Sequence, residues 1–116
     1  MFSGCLQKIN RNTLASNLLN FSEQIHATAL ELHGDAILLR GEPGSGKSDL
    51  ALRLIHEGAK LISDDRVELT YKNRQLYAGS PGNINGIIEV RGVGLLEVGC
   101  TGPKPVQLVV DLALGL

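Results

Sequence analysis

The apolar run Ala36–Arg40, AILLR, leads without a break into Gly41-Glu42-Pro43-Gly44-Ser45-Gly46-Lys47-Ser48. No other stretch constrains the chain as strongly. A short, continuous apolar run reads as a strand buried on both faces. The segment KSDLALRLIHEG (47–58) places Leu50, Leu54 and Ile55 on one helical face, flanked by Ala51 and Leu52, with Gly58 as its stop. Strand, glycine-rich loop and amphipathic helix in that order fit the phosphate-binding P-loop pattern G-x-x-x-x-G-K-[ST]. Its glycines let backbone N–H groups converge on phosphate oxygens with no Cβ in the way. Lys47 adds a point charge, and the Ser48 hydroxyl reaches Mg²⁺. The plainer alternative is a glycine-rich strand-to-helix turn with an exposed lysine.

Around this unit the chain reads mostly as strands. IHATALEL (25–32) precedes a turn at HGD (33–35), so a hairpin feeds the loop. AKLIS (59–63) is a second buried strand, and Asp64 and Asp65 follow it. RVELTY (66–71) alternates, KNR (72–74) turns and QLYA (75–78) returns. GSPGNING (79–86) is loop, IIEVRGVGLLEV (87–98) a strand interrupted by glycines, and VQLVVDLAL (106–114) a last apolar strand. The expectation is a strand-heavy α/β domain over 25–116. Residues 1–24 are expected to be a flexible extension, with Leu14, Leu18 and Phe21 forming a short helix.

Asp64 and Asp65 lie 17 and 18 residues after Lys47. If their strand neighbours the loop strand, as consecutive strands often do, the carboxylates lie beside the phosphates. One acid then holds Mg²⁺ and the other accepts a proton from an attacking hydroxyl. A solvated acidic pair at a strand end has the same sequence. Glu89 and Arg91 alternate with Ile88 and Val90 and share a strand face. That carboxylate suits a Mg²⁺ shell and that guanidinium suits phosphate, although a solvent-facing pair fits equally. His26, taken alone, reads as structural; His33 and His56 read as turn and helix-surface residues.

Composition narrows the partners. A net charge of −1 gives no bulk attraction to nucleic acid, so none is expected as a partner. No apolar run approaches the ~20 residues of a membrane span, and no membrane association is expected. Cys5 and Cys100 are isolated, which reads as a reducing, cytoplasmic setting. With no Trp and only Phe2, Phe21, Tyr71 and Tyr77 as aromatics, the core must be aliphatic.

Taken together, Ile25-His26, GEPGSGKSDLALRLI, GAKLISDDRVEL and IIEVRGVGLLEV resemble the kinase domain of HPr kinase/phosphorylase over about residues 25 to 98. The resemblance implies a P-loop domain similar to phosphoenolpyruvate carboxykinase, a strand-rich mixed sheet with one main helix after the P-loop. It implies Mg²⁺ and ATP as cofactors, and transfer of the γ-phosphoryl group to a serine of HPr, the small phosphocarrier protein. Some members also run the reverse phosphorolysis. By position, Asp65 matches the acid/base residue, His26 the histidine supporting it, and Lys47 the phosphate-binding lysine. Ser48 and Glu89 match the Mg²⁺ ligands, Asp64 is a helper, and Arg91 belongs to a segment used in both directions. The family's homo-oligomer is a further implication. Members continue into helices and a later catalytic arginine, whereas no Arg follows Arg91 here. The resemblance thus implies a short, C-terminally truncated form with weakened activity. The alternative is an ATP-binding regulatory module without phosphotransfer.

Overall fold

The structure is a computed structural model and describes residues 21–82, 86–90 and 92–112. Among them are nine strands and one helix. In chain order these are β1 (Phe21–His26), β2 (Thr28–Leu32), β3 (Asp35–Gly41), α1 (Lys47–His56), β4 (Lys60–Ser63), β5 (Arg66–Lys72), β6 (Gln75–Gly79), β7 (Ile87–Val90), β8 (Gly94–Glu97) and β9 (Lys104–Leu112). Seven strands form one mixed sheet in the order β1-β5-β6-β9-β3-β2-β4, and β7 and β8 form a separate hairpin.

Strand β3 is the central element. Ala36 and Leu38 enter one apolar cluster with Ala27, Ala29, Ile62, Val67 and Ala78. Leu39 enters a second cluster with Leu30, Ala51, Leu61, Ile88 and Val90, and Ile37 packs against it. Alternate side chains of a strand point to opposite faces, so β3 is covered on both, as its unbroken apolar run requires. The first cluster lies against β1, β5 and β6, and the second against α1 and the β7–β8 hairpin. Both are aliphatic, while Phe21 stacks on Tyr71 at 5.7 Å between centroids with Phe21 half-exposed.

β9 joins the halves of the sheet. Its first residues pair with β6 at Tyr77↔Pro105 and Ala78↔Lys104. From Val106 onward it runs parallel to β3. The exposed Arg40–Asp111 ion pair, 3.1 Å apart, spans that parallel register.

The expected hairpin into the loop is present. β2 and β3 are joined by His33 and Gly34, both with positive φ (57° and 89°), the backbone that matches strand twist in a two-residue hairpin. The helix ends as the sequence indicated. Gly58 sits at φ 111° while its N–H bonds to the Ile55 carbonyl and the Ala59 N–H reaches back to Leu54. This double closure satisfies carbonyls that the helix end would otherwise leave bare.

Four expectations need correction. The first strand does not run through 25–32 but breaks at Ala27, so β1 pairs with β5 while β2 pairs with β3 and β4. β1 begins at Phe21, so the expected boundary after residue 24 falls inside a strand, and Phe21 is not helical. Leu14 and Leu18 lie outside the described residues. IIEVRGVGLLEV folds back at Gly92 (φ 81°), closing a hairpin in place of one interrupted strand. Finally, β4 neighbours β2 and not β3.

Leu39 is fully buried at the junction of sheet, helix and hairpin. Leu39→Ala is expected to destabilise the chain by about 2–5 kcal/mol through lost transfer energy and a residual cavity. A urea titration reads this as a lower midpoint. At Gly58 there is open space for a Cβ, so Gly58→Ala is expected to cost only the left-handed backbone penalty, about 1–2 kcal/mol. The same titration tests it.

Candidate active site

The loop Gly41–Ser48 leaves the C-terminal end of β3 and returns as α1. It tightens at a turn where the Ser45 N–H donates to the Glu42 carbonyl at 3.0 Å. Gly44 and Gly46 adopt φ values of 87° and 101°. Gly41 must be glycine because a Cβ there would meet Ser45 Oγ and approach the Leu112 carbonyl at 2.8 Å. Ser45 Oγ itself is buried without a hydrogen-bond partner. Such an orphan costs about 1–3 kcal/mol, so stability alone does not account for this loop's sequence. The helix N-cap, Gly46, offers no side-chain cap, which leaves first-turn N–H groups available to an anion.

An open cleft of about 460 Å³ lies over this helix end. Of the residues singled out in the sequence, Pro43, Gly44, Gly46, Lys47, Ser48, Asp64, Asp65 and Glu89 line it. Asp64 and Asp65 reach it even though β4 is the edge strand beyond β2. The β2–β4 register slips by one residue, from Leu30↔Leu61 to Ala29↔Ser63, leaving Ile62 as the extra residue of a bulge. Bulges re-aim the strand end that follows, and here the acidic pair follows at once.

Asp65 occupies an unusual backbone. Its φ is 72°, and the Arg66 N–H donates to the Asp64 carbonyl at 2.8 Å, closing a three-residue turn around it. This left-handed γ-turn is strained and uncommon, and Asp tolerates it better than most residues. The turn is fastened by the Ala27 N–H to the Asp65 carbonyl at 3.2 Å and by Ser63 Oγ donating to the Arg66 carbonyl.

Asp64 points the other way in its bonding. Oδ1 accepts from Thr28 Oγ1 at 3.0 Å, and Oδ2 accepts from the Glu89 N–H at 3.0 Å. Ser48 Oγ donates to the Glu89 carbonyl at 3.0 Å. The Glu89 main chain is therefore clamped between α1 and the Asp64 carboxylate. Its own side chain is exposed and lines the cleft. At the hairpin base, the Val98 N–H donates to the Gly86 carbonyl, and Leu61 bridges Cys100.

The remaining expected residues stand apart. His26 closes β1 opposite Arg66, next to the Asp65 turn in sequence register, but is not among the residues lining the cleft. Gly41, Glu42 and Ser45 shape the loop without lining the cleft. Arg91 lies outside the described residues. Two lining residues, Thr28 and Asp49, were not singled out in the sequence. Thr28 is the one hydroxyl in ATALEL, which also carries Glu31, so the sequence alone gives it little prominence.

The cleft sets one ammonium, Lys47, against four carboxylates, Asp49, Asp64, Asp65 and Glu89. A polyphosphate approaching that set needs a compensating cation. Hard oxygen donors at Ser48, Asp64 and Glu89 suit Mg²⁺, which takes one or two protein carboxylates and fills its shell with water and phosphate oxygens. Among the described residues, no group of three or more His, Cys, Asp or Glu is arranged to hold a metal by itself.

Residues 17–112 match the family described as HPr Serine kinase C-terminal domain. The chain is 40% identical over 93 residues to the HPr kinase/phosphorylase of Pediococcus pentosaceus, covering 73% of this chain and 30% of that protein. It is 32% identical over 99 residues to the Levilactobacillus brevis HPr kinase/phosphorylase, covering 78% and 32% respectively. The chain thus spans about a third of the length of the curated relatives it matches. A solved structure of the Hpr(Ser) kinase/phosphatase from Coxiella burnetii superposes with a TM-score of 0.70 at 31% identity, over 77% of this chain and 58% of that one. The strand-rich mixed sheet with its single described helix is therefore that protein's fold, and the chain belongs to the HPr serine kinase C-terminal domain family.

Proposed function

We propose that the chain is a Mg²⁺-ATP-dependent serine kinase domain whose acceptor is a serine of the phosphocarrier protein HPr. One observation carries this reading: the uncapped end of α1, with Lys47 and Ser48, faces Asp64, Asp65 and Glu89 across one open cleft. The relatives' printed names, HPr kinase/phosphorylase, supply the acceptor and suggest reverse phosphorolysis as a second activity. A cytoplasmic location and a homo-oligomer belong to the same reading.

In this reading the glycine-rich stretch is a P-loop in a domain similar to phosphoenolpyruvate carboxykinase. Backbone N–H groups of Gly44, Gly46, Lys47 and Ser48 and the Lys47 ammonium hold the β- and γ-phosphates of ATP. Ser48, Asp64 and Glu89 would hold Mg²⁺, which would supply charge neutralisation for the phosphates. Asp65 accepts the proton of the acceptor serine as its oxygen bonds to the γ-phosphorus. The bond from that phosphorus to the β–γ bridging oxygen breaks, and ADP leaves. The strained turn fixes Asp65 on the cleft wall, which is where a positioned base is needed. His26, beside that turn, supports the base, and Arg91 meets phosphate.

The test pairs transfer with binding. Asp65→Asn keeps a residue that tolerates positive φ, so the turn should survive. Phosphate addition to HPr, read by intact-mass spectrometry, is expected to fall by roughly 10²–10⁴-fold, the usual contribution of a general base. ATP affinity, read by calorimetry, should stay near wild type. Loss of both together would sink the role given to Asp65. Binding without transfer in the wild-type chain would point to an ATP-binding regulatory module instead.

A further inference from the structure

We infer that Thr28 is a positioning residue that orients the Asp64 carboxylate for the divalent cation. The inference rests on the reading of Asp64, with Ser48 and Glu89, as the cation-holding group. Thr28 is 1% exposed, one of few polar side chains buried in the described structure. It opens β2 directly after the break at Ala27 and lines the cleft floor. Its single hydroxyl proton goes to Asp64 Oδ1 at 3.0 Å. A β-branched side chain in a strand has little χ1 freedom, so the donor sits at a fixed place.

The Glu89 N–H holds the other oxygen, Oδ2, at 3.0 Å. Each carboxylate oxygen thus keeps one donor, and the two donors come from different elements, the central sheet and the β7–β8 hairpin. A carboxylate has about four lone-pair sites, so two remain for a ligand. Fixing the plane with one donor on each oxygen aims those sites and removes the rotamer freedom that a lone surface Asp would lose on binding. Partners behind a ligating group commonly carry 10–100-fold of metal affinity.

Thr28→Val removes the donor while keeping shape and strand preference, and Thr28→Ser returns the donor. The probe is ADP, titrated calorimetrically into the full chain with and without Mg²⁺. With Mg²⁺, Thr28→Val is expected to bind ADP about 10–100-fold more weakly than wild type, Thr28→Ser should regain most of that loss, and without Mg²⁺ all three should agree within about twofold. Three results would overturn the inference: Thr28→Val matching wild type in Mg²⁺, equal weakening with and without Mg²⁺, or no recovery in Thr28→Ser. If the wild-type chain itself shows no Mg²⁺ effect on ADP binding, the cation-holding reading fails and takes the inference with it.

Discussion

The burial of β3 on both faces is the constraint from which the rest of the architecture follows. A strand with Ala36 and Leu38 on one side and Ile37 and Leu39 on the other needs two covering layers. The curled half of the sheet, β1-β5-β6, supplies one, while α1 and the β7–β8 hairpin supply the other. The loop at the end of β3 must therefore emerge between a helix and a hairpin that are both pressed onto the same strand. The cleft opens at that end, bounded by the first turn of α1, the Asp64–Asp65 turn and Glu89 of the hairpin. Its walls cannot drift far, because Ala51 of α1 and Ile88 and Val90 of the hairpin are fixed in one cluster.

Within that frame the site spends stability on geometry. Ser45 Oγ is buried without a partner, and Asp65 holds a left-handed backbone. Four carboxylates share a cleft with one lysine. Each is unfavourable for folding taken alone, and the excess of carboxylates is the one that a bound cation would offset. Phosphoryl transfer requires little covalent work from the protein and much positioning of charge. The distribution of strain and charge around this cleft matches that demand better than it matches a purely structural role.

Much of the architecture was legible in the sequence because it is encoded locally. The apolar run of β3, the helical spacing of Leu50, Leu54 and Ile55, Gly58 at the helix end and the His33-Gly34 turn each specify their own conformation. What was not legible depends on pairing between distant segments. Phe21–Gln24 is polar enough to read as an extension, and becomes a strand only because Tyr71, Thr70, Leu69 and Glu68 lie opposite. IIEVRGVGLLEV alternates well enough to pass for one strand; the reversal at Gly92 is favoured because it buries Ile88 and Val90 with Leu96 half-buried against the same cluster. The adjacency rule for consecutive strands failed at β4 because the hairpin partner β2 already occupied that side of β3. Asp64 and Asp65 reached the cleft through the bulge at Ile62, a feature with no sequence mark of its own.

The same distinction explains how the cleft holds Glu89. Its N–H is taken by Asp64 and its carbonyl by Ser48, so the peptide units on both sides of the residue are fixed through main-chain atoms. Anchoring of this kind leaves the side chain uncommitted and free to face the cleft. It also shifts the burden of specification elsewhere. Any non-proline residue presents the same N–H, and every residue the same carbonyl, so what the sequence must supply is the partners, a carboxylate at 64 and a hydroxyl at 48. Those partners sit on the β4–β5 turn and at the first turn of α1, the two places where the acidic pair and the glycine-rich loop are already required. The hairpin is thus positioned by the residues it serves, and its place over the cleft is set by the acidic pair and the loop together.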